Sequence, residues 1–318
     1  MRLRVDPWDP EYGASVELDG ELEPAAGLDL TVEVAGTWAP IPATPRGAAP
    51  CCAFIDGVRR IDVRLFAEEG DVSVPGLAGS WAVGCAWASR PPTIGDVRVG
   101  REIVTGGGLL PPPLTAAVGA QTLTFTPSSV PGSAPLDPLR GLQNAMREAE
   151  VELASAAVDS GRAELVVADG PLSYAMSGCL VGMVKRQSRA YLDAERSRVI
   201  PNLRAGDRTP LFKLGEQRLE RYSWYLRLVD GRSIDGAMAG VVRLETDASG
   251  GVDAARELAD LVGGVLPMFA SQPGRDPRAP QNLYPVGALE THLRHRLGDA
   301  HLVRRAIEAH LLQETTYA

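Results

Sequence analysis

Cysteine and histidine are scarce in this chain of 318 residues, at four each. Cys51 and Cys52 are adjacent, Cys85 and Cys179 stand alone, and no CxxC spacing occurs. That pattern argues against a zinc ribbon or a disulfide framework and points to a reducing cytoplasm. No apolar run approaches the roughly 20 residues that a membrane helix needs, so no membrane partner is expected. The amino-terminal MRLRVDPWDPEYG lacks the apolar core of a signal peptide. A GxxxxGK[ST] phosphate loop is also missing, so any ATP-driven motor must be a separate protein. Nor is there an excess of positive charge. The formal net charge of −8 argues against a protein that coats polyanions over its whole surface.

Charge is unevenly distributed. Residues 1–35 carry nine acidic and two basic side chains, whereas residues 185–221 carry ten Lys/Arg against five Asp/Glu. A local basic face on an acidic molecule and an ordinary solvated surface both account for this. Residues 1–50 read as an extra N-terminal segment, with a short strand at LDLTVEVAG and a linker at APIPATPRGAAP. From residue 51 to 318 the chain reads as one domain. CCAFIDGVRRIDVRLFAEEG predicts two strands around a turn at Asp56-Gly57, and GSWAVGCAWAS a third. Residues 89–135 predict loops with one short strand, QTLTFTP. DPLRGLQNAMREAEVELASAAVD predicts a helix, with Leu142, Met146, Ala149, Leu153 and Ala157 at helical spacing. Strands follow at AELVVADG, CLVGMVKRQ, ERYSWYLRLVD and GAMAGVVRLETD, the last two as a pair. Helices are expected at AYLDAERSRVIPNL, at VDAARELADLVGGVLPMFA and, as one or two, over GALETHLRHRLGDAHLVRRAIEAHLL. The fold class is α/β, a mixed sheet with helices on its faces.

Two aspartates have matching settings. Asp56 follows the apolar CCAFI and Asp169 follows LVVA, and each precedes a glycine. Strand ends are where a sheet presents groups to a ligand. Carboxylates brought together there need a cation or a shared proton, and oxygen ligands suit a divalent metal. Asp-Gly is equally the signature of a turn. Glu150 falls in the row Met146, Glu150, Leu153, Ala157, on the apolar stripe of its helix, while Glu148 and Glu152 lie one face over. Glu150 either joins a metal beside the aspartates or pairs at the edge of the stripe with a residue such as Arg147. His292 and His295, at i and i+3, either contribute an imidazole to such a site or sit on a helix surface. Lys185 ends another apolar strand, where it meets a phosphate or simply solvent.

Taken in order, FIDGVRR, a helix carrying glutamate, LVVADGPL, VGMVKR and YPVGALETH resemble the NurA nuclease family over about residues 50–300. The resemblance implies an RNase H-like core and a DNA end-processing nuclease. It implies dependence on Mn2+ (or Mg2+), assembly as a homodimer and docking on a HerA-type hexameric translocase. It places the metal and catalytic set on Asp56, Glu150 (Glu148 as fallback), Asp169 and His292, with Lys185 as the basic residue after the next strand. Lys185, Arg186 and Arg189 would then meet the DNA backbone. Val58-Arg59 and the ETH of YPVGALETH depart from the family pattern. Two other readings remain: a catalytically inactive DNA clamp of the same fold, and an actin-like or sugar-kinase-like phosphotransferase. The latter needs a DxG[ST] hairpin that IDGVRR does not supply.

Overall fold

The computed structural model describes residues 1–6, 27–44, 46–48, 50–176, 178–186, 190–216 and 219–317. Its strands are β1 (Arg2–Val5), β2 (Leu28–Asp29), β3 (Cys52–Glu69), β4 (Val72–Ala88), β5 (Thr93–Thr105), β6 (Leu114–Val118) and β7 (Gln121–Ser129), then β8 (Leu165–Asp169), β9 (Leu180–Val184), β10 (Phe212–Glu216), β11 (Leu219–Arg227) and β12 (Val241–Asp247). The helices are α1 (Asp137–Asp159), α2 (Gly251–Val265), α3 (Tyr284–Arg296) and α4 (Ala300–Tyr317). The strands form one mixed sheet in the order β2-β10-β11-β12-β9-β8-β3-β4-β5-β7-β6, with β1 added beside β3. No helix among the described residues is long and apolar enough to cross a membrane.

The centre of the sheet is parallel. β3 pairs with β8 in the register Cys52↔Leu165 to Ile55↔Ala168, and β8 pairs with β9 from Val166↔Leu180 to Asp169↔Met183. Strands of this kind are buried on both faces and read as continuous apolar runs, as LVVA and LVGMV do. Alternation sorts their side chains. Phe54, Val58, Leu165, Val167, Val181 and Met183 pack with Val262 of α2 and with Val286, Leu289 and Leu293 of α3. Ala53, Ile55, Val166 and Leu180 pack on the opposite face with Met146, Ala149 and Leu153 of α1. α4 covers a third cluster through Val303, Ile307 and Leu311.

Three sequence expectations are corrected. The two strands proposed around Asp56-Gly57 are one strand of 18 residues, because the antiparallel ladder to β4 runs straight through Asp56↔Gly84 and Gly57↔Val83. Residues 89–135, read as loops with one short strand, hold three strands, β5 to β7. The helix proposed over 190–203 shrinks to a 3-10 turn at Arg196–Asn202 that contains Pro201, a residue with no N–H for an α-helical bond.

The N-terminal segment is joined to the sheet rather than strung beside it. β1 pairs with β3, β2 with β10, and Trp38 is buried with Phe212, Leu214 and Tyr225. Glu33 accepts from both Nη1 and Nη2 of the buried Arg208 at 2.9 Å.

Two guanidiniums fix the end of α3. Arg60 donates to the carbonyls of Gly298 (2.7 Å) and Leu297 (3.2 Å), and Arg101 to Leu297 (3.2 Å). Cations belong at a helix C-terminus, where carbonyls lack partners. Buried Asp62 accepts from Arg60 Nε at 2.7 Å and so holds this clamp in place.

Candidate metal centre

Asp56 sits where its neighbour ends. β8 stops at Asp169, and β1 joins β3 only at Leu65. Between Asp56 and Val63 that edge of β3 has no strand along it among the described residues. The register continues one step past Ile55↔Ala168 to set Asp56 level with Asp169. Both carry on the alternation of Phe54 and Val167, toward α3. Lys185 follows Val181 and Met183 onto the same face.

At Gly170 the chain turns away with φ 97°, a conformation that glycine adopts readily, and Gly170 N–H donates to the Met183 carbonyl at 2.9 Å. Leu172 N–H then donates to Glu245 at 3.1 Å, and Arg221 Nη1 to the Leu172 carbonyl at 2.8 Å. Glu245 also accepts from Arg221 at 3.0 Å and from Arg243. All three charged residues are buried. This network fixes the backbone just beyond Asp169.

Asp56, Asp169 and Glu290 each offer an oxygen, and the three lie within 4.8 Å of one another. Asp56 is 6% exposed. Its Oδ1 accepts from Gly57 N–H at 2.8 Å, while its Oδ2 is buried with no hydrogen-bond partner. Burial drives the Asp56 carboxyl well above the ordinary carboxylate range. The charge of Asp169 drives it further, Lys185 opposes, and Glu150 and Glu290 add to the rise. Lys185 Nζ donates to Asp169 Oδ2 at 2.7 Å and is the cation now balancing the group. Burial raises the Glu290 carboxyl too, but hydrogen bonding and charge from Arg278, then Lys185 and Arg294, outweigh it and hold Glu290 low. Three oxygen donors on one face, one of them orphaned, suit a hard divalent cation.

Glu150 approaches Asp56 from the other face, outside the group of three carboxylates. A methyl group on Gly57 would overlap Glu150 Oε1 and lie 3.0 Å from Met146 Sδ. The missing side chain at Gly57 is therefore what lets α1 bring its carboxylate close to Asp56. Glu150 is half-buried and Glu148 exposed. Tyr174, in the loop after Asp169, is pushed up to about 12 by burial and then by the Glu150 charge. Gly57→Ala meets mainly the tip of a flexible side chain. Its expected outcome is a metal affinity lowered at least tenfold with a melting temperature close to that of wild type, read by calorimetric titration beside a thermal melt.

The structure thus gathers Asp56, Asp169 and Lys185, sets Glu150 across Gly57, and leaves His292 outside. His292 is exposed on α3, and no group of three metal-binding side chains among the described residues includes it. Two residues along an α-helix is a rotation of roughly 200°, so the buried Glu290 and His292 point opposite ways. His295 is exposed as well, and Arg189 lies outside the described residues. Glu290 escaped the sequence reading although its signal was there: it stands at i+4 from Val286 and i−3 from Leu293, on the apolar stripe of its helix.

No family model matches this chain, and no curated protein matches it. Among solved structures it is similar to the crystal structure of the NurA nuclease from Sulfolobus solfataricus, with a TM-score of 0.47 and 11% identity over 87% of this chain and 88% of that one.

Proposed function

We propose that this chain is a metal-dependent deoxyribonuclease with an RNase H-like core, a phosphodiester hydrolase of DNA end processing. The observation that carries the reading is the trio Asp56, Asp169 and Glu290, gathered where β8 ends, with a buried carboxylate oxygen that nothing satisfies. Asp56, Asp169 and Glu290 would hold Mn2+ or Mg2+, with Glu150 beside them. Such an ion supplies Lewis acidity at the scissile phosphate and a water acidic enough to ionise near neutral pH. The protein's own part is to bring the three carboxylates together and hold them in place. Lys185, on the same face as Asp169, keeps a positive charge at the mouth of the centre for the phosphate. Arg186 extends that charge along the strand end and would contact the backbone without regard to sequence. Assembly as a homodimer and docking on a HerA-type hexameric translocase belong to the same proposal and rest on the order of the sequence motifs.

A phosphotransferase of the actin-like kind is disfavoured, because the unbroken β3 leaves no turn beside Asp56 for a phosphate hairpin. A catalytically inactive clamp finds support in two contacts: Glu290 is already paired with Arg278 and with Arg294. Linear DNA incubated with Mn2+, Mg2+ or EDTA, with and without the translocase, separates the two readings. Wild type is expected to cleave with metal only, and Asp169→Ala to lose at least a hundredfold in rate. A folded wild-type protein that cuts nothing with either metal and its translocase would establish the clamp instead.

A further inference from the structure

Beside the metal centre, on the outer side of Glu290, lies a cleft of about 780 Å³ between the 268–278 segment and the first turns of α3. Its size is that of a small-molecule site. Its wall carries three guanidiniums, Arg275, Arg278 and Arg294, the ring of Tyr284, and the carboxylate of Asp276, which pairs with Arg278 at 3.4 Å. Arg275 is exposed and makes no ion pair among the described residues. Tyr284 is 55% exposed, and its ring is propped by Phe269 at a centroid distance of 5.7 Å. An exposed aromatic among arginines is the recurring platform for single-stranded nucleic acid, in which bases stack and phosphates pair. Two of these arginines are also engaged with a carboxylate of the metal centre. Arg278 Nη1 donates to Glu290 Oε1, and Arg294 Nη2 to Glu290 Oε2 at 3.1 Å.

We propose that this cleft binds a DNA strand next to the scissile bond, with phosphates on Arg275, Arg278 and Arg294 and a base on Tyr284, and that the phosphate draws Arg278 and Arg294 off Glu290 and so frees it for the metal. The inference rests on the nuclease reading. Guanidinium forks match phosphate as well as carboxylate, so the exchange keeps each charge paired. Strand and metal then bind cooperatively, and each must tighten the other by the same factor. Empty of DNA, the centre holds its metal weakly. Bound to DNA, it closes around it.

The test uses a fluorescent single-stranded oligonucleotide with an uncleavable backbone and two readouts besides cleavage: anisotropy in EDTA, and Mn2+ binding followed by electron paramagnetic resonance. In EDTA, Tyr284→Ala is expected to bind the strand about tenfold more weakly. Arg275→Ala with Arg294→Ala should flatten the slope of log affinity against log salt by about 1.4, roughly 0.7 for each lost phosphate contact. For the wild type, a saturating oligonucleotide is expected to tighten Mn2+ at least fivefold. Arg278→Ala should tighten Mn2+ in the absence of DNA, weaken the strand in EDTA, and reduce the coupling. A purely structural Arg278 would not raise metal affinity when removed. Unchanged strand binding by Tyr284→Ala and by the double arginine variant overturns the cleft, and weaker or unchanged Mn2+ binding by Arg278→Ala overturns the exchange. A wild type that cleaves DNA while these variants bind it normally defeats this inference alone. A wild type that never cleaves but binds DNA through these residues defeats the nuclease reading and leaves the cleft standing.

Discussion

Asp56→Asn is expected to abolish metal-dependent cleavage and, in the metal-free protein at pH 7, to raise stability on the order of 1–2 kcal/mol. The two effects share a cause. Asp56 is a buried carboxyl beside Asp169 and Glu290, and burial with the charge of Asp169 pushes its proton affinity well above the ordinary range. An asparagine keeps the bond from Gly57 N–H to Oδ1. It also puts an N–H donor in place of the orphaned Oδ2, in a group shared with the carboxylates of Asp169 and Glu290. The pH dependence has a definite sign. The unfolded chain gives up this proton at about pH 3.8, the folded one only at higher pH. The folded state thus gains from the retained proton below the ordinary carboxylate range and loses that gain as pH rises through the raised value. The advantage of Asp56→Asn over wild type should therefore be small near pH 4 and grow toward neutrality, as read by denaturant titration in EDTA across pH. Saturating Mn2+ should reverse the order, since only wild type gains from it. A variant less stable than wild type at pH 7 in EDTA would mean that the Asp56 carboxylate is well satisfied after all.

Glu245→Ala carries the largest expected loss of stability. Glu245 is 1% exposed between Arg221 and Arg243. Its removal takes the Glu245 charge away from two buried guanidiniums, and breaking a buried pair typically costs about 3–5 kcal/mol. The expected fall in melting temperature is roughly 5–10 °C for a chain of this size. Leu172 N–H loses its acceptor in the same step, so the turn after Asp169 loosens. Hydrogen exchange should show faster opening at Leu172 and Gly170 than on α4, which packs on a different part of the sheet. Glu245→Gln keeps one acceptor oxygen of the two, so one guanidinium stays bonded while the other faces an N–H donor, and its loss should lie between wild type and Glu245→Ala. A loss under 1 kcal/mol for Glu245→Ala would show that the arginines find other partners.

How much of this was legible in the sequence depended on how local its cause was. α1 was plain, because its apolar stripe and Pro138 are properties of one segment. Asp169 was plain too, at the end of a short apolar strand before a glycine. Asp56-Gly57 misled, because Asp-Gly is a strong hairpin signal. Here the glycine serves the approach of Met146 and Glu150 from a helix 90 residues further on, and nothing near residue 57 announces that. Strands β5 and β6 were missed among glycines and prolines, since their pairing is with β4 and with β7, itself legible as QTLTFTP. For Glu290 the failure was one of weighting. The stripe rule that picked out Glu150 applies equally to Glu290, but an imidazole two residues later drew the ligand role through its chemical type and the family resemblance, without regard to which way it points.

The three carboxylates come from positions 56, 169 and 290, each more than 100 residues from the next, and α3 follows nearly the whole of the sheet in chain order. No early folding fragment can therefore contain the complete centre. During synthesis the ribosome releases β3 and β8 long before Glu290 exists, and contacts so distant in sequence form late and slowly. Until α3 docks, Lys185 is already made and pairs with Asp169, whereas Arg278 and Arg294 are not. A nascent chain is thus expected to mature without a captured ion, and competence for chemistry to appear as the closing event of folding.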